Sequence, residues 1–161
     1  MEILSDVLTV DPGWNTGYAF WEAHNKLPDV GMFKVSKAKS IASTEARLSD
    51  LWCKFEDLID KYMPKLELCI IESVQLWEGS LTSMTAARRG DIFKLSMLIG
   101  GYAKVCMDRG VDFEFLTAQQ WKGQLTKKAV ELRVKRRIGQ VYAADHITDA
   151  VGIGLSLMNN L

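Results

Sequence analysis

Residues 67–72, ELCIIE, place four consecutive apolar side chains between two glutamates. A run this short and this apolar predicts a central β-strand buried on both faces, which in turn requires helices packed on both sides of a sheet. The strand ends on Glu72. A carboxylate directly after Cys69, Ile70 and Ile71 is a costly neighbour for a core, so something has to offset its charge.

The segments on either side fit that sheet. Residues 6–11 (DVLTVD) alternate into a strand ending on Asp11, and 12–17 (PGWNTG) carry turn residues. Further strands are expected over about 17–22 and 30–36, separated by a loop containing Pro28, which makes the first three strands an antiparallel meander. Leu48, Leu51, Trp52, Phe55, Leu58, Ile59 and Tyr62 then recur at helical spacing. Ser43 or Thr44 can cap this helix, and Pro64 ends it. A long helix is expected over about 82–108, with Leu95, Leu98, Ile99, Tyr102, Val105 and Cys106 on one face and Gly100-Gly101 allowing close approach of another backbone. A strand at 112–117, a helix from about 126 and a last helix over about 145–159 complete the order. The expectation is a single α/β domain spanning residues 1–161: a mixed five-stranded sheet, meander plus parallel strands, flanked by helices.

The formal net charge is zero, but residues 121–137 hold seven Lys/Arg against a single Glu131. Such a basic segment on a neutral protein is either a solvated helix face or a directional footprint for polyanions. The three cysteines, Cys53, Cys69 and Cys106, form no C-x-x-C pair, so neither a disulfide framework nor a zinc site is indicated; they read as buried thiols in a reducing compartment. No apolar run reaches membrane-spanning length, and no basic n-region precedes the first strand. The expected location is cytoplasmic, away from membranes.

If the first and fourth strands are parallel neighbours, Asp11 and Glu72 emerge together at the sheet end where open α/β sheets bind ligands. His146 and Asp149, three residues apart on the last helix, share a face with Ile153, while Ile147, Ala150, Val151, Leu155 and Met158 face the core. Carboxylates with one imidazole make a hard, oxygen-rich site suited to Mg²⁺ or Mn²⁺. Blander readings remain open: an Asx-turn at Asp11, an Arg partner for Glu72, a surface role for His146. Asp145 reads as the N-cap of the last helix, or as a substitute for His146 if the helix phase differs. His24 has no assigned role.

Three segments resemble motifs of the RuvC family of Holliday-junction resolvases: VDPGWNTGYAFW (10–21) its opening strand–turn–strand, CIIES (69–73) its second motif, and ADHITDAVGIGL (144–155) its closing helix. The segment TAQQWKGQLTKK (117–128) is similar to its Lys-bearing stretch. The resemblance implies a ribonuclease H-like fold and a homodimer. It also implies two Mg²⁺ ions held by the catalytic residues Asp11, Glu72, His146 and Asp149. The position matched by His146 is Asp in many members and His in others, a mild departure that would, on the resemblance, shift preference toward Mn²⁺. The implied activity is an endodeoxyribonuclease that resolves four-way junctions, leaving 5′-phosphate and 3′-hydroxyl ends. Lys122, Lys127 and Lys128 would grip phosphates at the cut, and Arg133, Lys135, Arg136 and Arg137 would extend the track along the DNA arms. The family's DNA-reading aromatic has only a loose match: Gln75 stands near its expected place with Leu76 and Trp77 just after it, so either Trp77 is the wedge or the wedge is absent. The long helix, with Phe93 and Met97 on a second apolar face, is a candidate dimer interface or an ordinary core helix. A phage-encoded member would act in the host cytoplasm.

Alternatives follow from the same residues. One is a fork or flap endonuclease without strict junction specificity; another is a non-catalytic DNA-binding adaptor of the same fold; a third is a relative acting on RNA or on phage-packaging DNA. Actin-like ATPases and sugar kinases share a strand-terminal Asp but need a second domain, and no G-x-x-x-x-G-K-[ST] loop is present.

Overall fold

The computed structural model describes residues 5–39, 42–74, 85 and 89–158. Strands β1 (Val7–Asp11), β2 (Asn15–Trp21) and β3 (Asp29–Lys34) form the antiparallel meander. Strand β1 then pairs in parallel with β4 (Leu68–Ser73), and β4 in parallel with β5 (Asp112–Thr117). The order β3-β2-β1-β4-β5 puts β1 and β4 inside the sheet, as the apolar run at 67–72 requires.

Alternation along these strands feeds two cores. Leu8, Val10, Cys69 and Ile71 face helices α1 (Thr44–Tyr62) and α2 (Asp91–Arg109), packing with Leu51, Phe55, Leu98 and Tyr102. Val7, Ala19 and Ile70 face the opposite layer, made of the short α3 (Ala118–Lys122), α4 (Lys127–Ile138) and α5 (Asp145–Leu157). Residues on both sides of β4 are almost fully excluded from water, so the sheet is sandwiched between helical layers.

Helix α5 lies close on the sheet because small residues let it. A Cβ on Gly17 would come within 2.1 Å of the His146 carbonyl oxygen, so only glycine fits where the helix begins to cross β2. Further along, the Thr9 hydroxyl donates to the Ala150 carbonyl at 2.7 Å and accepts from the Trp21 indole N–H at 3.2 Å. This buried link fixes the helix against β1.

Several expectations change. Asp145 is not the N-cap of α5: Ala144 takes that position without a side-chain cap, and the Asp145 carboxylate pairs with Lys127. Ile153, on the face of His146 and Asp149 by spacing, is itself fully buried, while Ile147 and Met158, expected in the core, are only partly buried. Cys53 is exposed, because it sits on the side of α1 away from Leu51 and Phe55; Cys69 and Cys106 are buried as expected. Helix α2 begins at Asp91 after a turn at Gly90, and residues 82–84 and 86–88 of the expected helix lie outside the described residues. Gly101 accommodates the Trp52 ring, not a backbone, while a Cβ on Gly100 would meet open space.

Candidate active site

Asp11 is the last residue of β1 and Glu72 lies near the end of β4. Because these strands are parallel, with Val10 opposite Ile71, both carboxylates emerge at the same end of the sheet. Gly17 is the partner of Asp11 across the β1–β2 ladder. Helix α5 therefore starts directly over Asp11, and His146 Nδ1 lies 2.5 Å from Asp11 Oδ2. Asp149 follows three residues later, so all four expected site residues gather around one sheet end.

The electrostatics reflect that crowding. Burial, together with the charges of Asp11 and Asp149, pushes the Glu72 carboxyl up to about 7. Burial likewise raises Asp149, with Asp11 adding to the effect. The hydrogen bond to Asp11 raises His146. Lys122 acts against the repulsion: its charge lowers both Glu72 and Asp149, which places the ammonium on the side of the site facing them. A carboxyl raised as far as that of Glu72, in a site lined by several acids, is characteristic of positions that exchange protons or take up cations.

Trp121 is a neighbour that sequence reasoning missed. It is 5% exposed, lies against Gly152 of α5, and has Lys122 Nζ 4.7 Å from its ring centroid. Its indole N–H is buried and completes no hydrogen bond of ordinary geometry, yet it bears on Glu72, whose ionised form it favours. The five-residue α3 that carries Trp121 is too short to leave a periodic pattern. Its Thr117–Gln120 capping box was the one signal available.

The expected phosphate-binding residues occupy α3 and α4. Val130, Val134 and Ile138 bury one side of α4, leaving Lys128, Arg133, Lys135, Arg136 and Arg137 exposed around the rest of the helix. Lys127 is held by Asp145 and senses Asp149, which keeps the start of α4 near the site. Trp77 lies outside the described residues.

Among the described residues, no three His, Cys, Asp or Glu side chains stand ready to hold one ion as they are. The donor chemistry nevertheless fits a divalent cation. Three carboxylates and an imidazole share the sheet end, and their repulsion is what a divalent charge would relieve. The hydrogen bond between His146 and Asp11 uses only His146 Nδ1 and Asp11 Oδ2, so His146 Nε2 and Asp11 Oδ1 remain as donor atoms.

No family model matches the sequence, and no curated protein matches it. Solved structures do resemble it. RuvC from T. thermophilus in complex with a Holliday junction substrate has TM-score 0.70 at 18% identity, covering 94% of this chain and 91% of that one. A second structure of Thermus thermophilus RuvC gives TM-score 0.67 at 18% identity, covering 96% and 97%. The yeast mitochondrial Holliday junction resolvase Ydc2 gives TM-score 0.54 at 14% identity, covering 97% and 81%. The chain thus has the ribonuclease H-like fold of RuvC over nearly its whole length.

Proposed function

We propose that the chain is a divalent-metal-dependent endodeoxyribonuclease that resolves four-way junctions and related branched DNA. The observation that carries this reading is the convergence of Asp11, Glu72, His146 and Asp149 on one sheet end of a RuvC-like fold, with Lys122 beside them. Those four residues would hold two Mg²⁺ or Mn²⁺ ions. When bound, such ions supply Lewis-acid activation of a water nucleophile and neutralise charge on the leaving oxygen.

The chain's own residues do the remaining work. Lys122 offers positive charge to the phosphate being cut, while the burial of Glu72 keeps bulk water from competing for it. Lys127 and Lys128 at the start of α4 grip phosphates next to the cut, and Arg133, Lys135, Arg136 and Arg137 carry the arms. Hydrolysis breaks the P–O3′ bond: water oxygen joins phosphorus, and the proton it loses balances the one taken up by the 3′-oxygen. A homodimer would supply the two centres that a two-fold junction needs. We take residues 1–161 as one nuclease domain acting in the cytoplasm. Among the described residues, no helix is long and apolar enough to cross a membrane.

The test is a cleavage panel of four-way junction, replication fork, flap and linear duplex, each with Mg²⁺ or Mn²⁺, alongside Asp11→Asn. The reading predicts paired nicks at symmetric positions of the junction, absent in the variant. Fork and flap cutting without symmetry would reduce the activity to a broader branched-DNA nuclease. No metal-dependent cleavage of any substrate would leave a non-catalytic DNA-binding module.

A further inference from the structure

A cavity of about 430 Å³ opens beside the acidic cluster, on the side of α2. Its apolar lining comes from Pro12, Trp14, Leu95 and Leu98, with Asp91 and Lys94 contributing polar edges. His146 belongs to both this cavity and the acidic cluster, so the two are continuous. We propose that this cavity is a subsite for one unstacked nucleobase adjacent to the scissile phosphate, with Trp14 as its stacking platform. The assignment rests on the nuclease reading above.

The chemistry selects a base over the other parts of a DNA strand. A phosphate would meet an apolar lining and the Asp91 carboxylate, and a deoxyribose has no flat face to lay on an indole. A base offers a π surface for Trp14 and an edge of donors and acceptors for the Asp91–Lys94 pair, whose nearest charged atoms lie 3.4 Å apart. The volume lies in the lower part of the roughly 300–1,000 Å³ range of small-molecule sites, enough for one base.

Trp14 is also held ready for such a role. The Arg47 guanidinium of α1 lies over its ring, 3.9 Å from the centroid. Its carbonyl accepts the Val35 N–H at 3.4 Å, and the preceding Gly13 carbonyl accepts the Thr16 hydroxyl at 2.9 Å. A ring fixed in advance loses little freedom on binding. Extruding a base costs least where it is already unpaired or weakly stacked, so the cavity would favour branch points over linear duplex. It would thereby contribute to the structure selectivity proposed above.

The experiment maps the cut on a synthetic four-way junction with the wild-type protein, then replaces each nucleotide within two of the cut by an abasic residue. One such replacement is expected to lower kcat/KM by about 5- to 100-fold, the weight of one base–aromatic stack. Trp14→Leu should show a similar loss on the intact junction and no further loss on the abasic one, whereas Trp14→Phe keeps the wild-type sensitivity. Independently, 2-aminopurine at the same position should be quenched when bound by Asp11→Asn, with Mg²⁺ present, and equally by the Asp11→Asn/Trp14→Phe double variant. This second readout does not depend on Trp14→Leu folding. An abasic penalty of equal size in wild type and Trp14→Leu, no penalty at any position, or no fluorescence change would overturn the subsite while leaving the nuclease intact. A wild-type protein that cuts no branched DNA would overturn the nuclease reading and the subsite together.

Discussion

Glu72 is where the conflict between core and site is sharpest. It lies one residue before the end of the apolar strand β4, and burial with two neighbouring acids raises its carboxyl from 4.5 to about 7. In the metal-free protein this makes stability fall as pH rises. Below pH 4.5 folded and unfolded chains both hold the proton; above it the unfolded chain releases it first, and the difference is fully lost above about 7. The shift corresponds to about 3 kcal/mol. Asp149, also raised, acts in the same direction. So does His146: its added stability is present below 6.5 and is lost as pH climbs through its raised folded value. Thermal melts in chelator should therefore show lower stability at pH 8 than at pH 5, with a flatter profile for Glu72→Gln. Added Mg²⁺ or Mn²⁺ binds the deprotonated carboxylates, so its stabilisation should be larger at pH 8, while at lower pH, where Glu72 still holds its proton, binding should release it. An equal cation effect at both pH values would remove these residues from the ligand set.

Among the elements, α2 offers an internal control. Ala at Gly101 would bring a Cβ within 1.9 Å of Trp52 Nε1, so Gly101→Ala should disrupt the α1–α2 packing and lower the melting temperature. Ala at Gly100 meets nothing, so Gly100→Ala should stabilise by up to about 1 kcal/mol through helix propensity. In α4, Lys128→Ala with Arg136→Ala should weaken DNA binding and reduce the slope of log K against log salt by about two, if both meet phosphates; an unchanged slope would assign them to a solvated face. The strands and long helices were readable because alternation and helical spacing record which side chains face the sheet. The convergence of Asp11 and Glu72 was readable because parallel neighbouring strands bring their carboxyl ends to one edge of the sheet. Contacts made between elements left no such trace. The fit of Gly17 beneath His146 depends on where α5 crosses β2, Asp145 chooses Lys127 over a capping role, and Trp121 reaches Glu72 from a helix with no periodicity. Cys53 was misplaced for a related reason: an apolar neighbourhood in sequence does not fix the side of a helix on which a residue falls.

At the scale of the whole molecule, two helical layers hold the sheet so that its parallel strands deliver their carboxyl ends to one opening, and α4 carries its charge beside that opening. Phe93 and Met97, 70% and 52% exposed, sit with Gly100 on the outer side of α2, an apolar surface available for the proposed second copy. Phe93→Asp should therefore sediment as a monomer at concentrations where the wild type is a dimer; a wild-type monomer at micromolar concentration would discard the dimer. The most direct test of the account joins site and assembly in one assay: cleavage of a supercoiled plasmid that extrudes a cruciform, in Mg²⁺ or Mn²⁺. Paired cuts within one encounter should yield linear DNA without accumulation of nicked circles, and Asp149→Asn should yield neither. Failure of the wild-type protein to cut the cruciform with either metal, or undiminished cutting by Asp149→Asn, would contradict it.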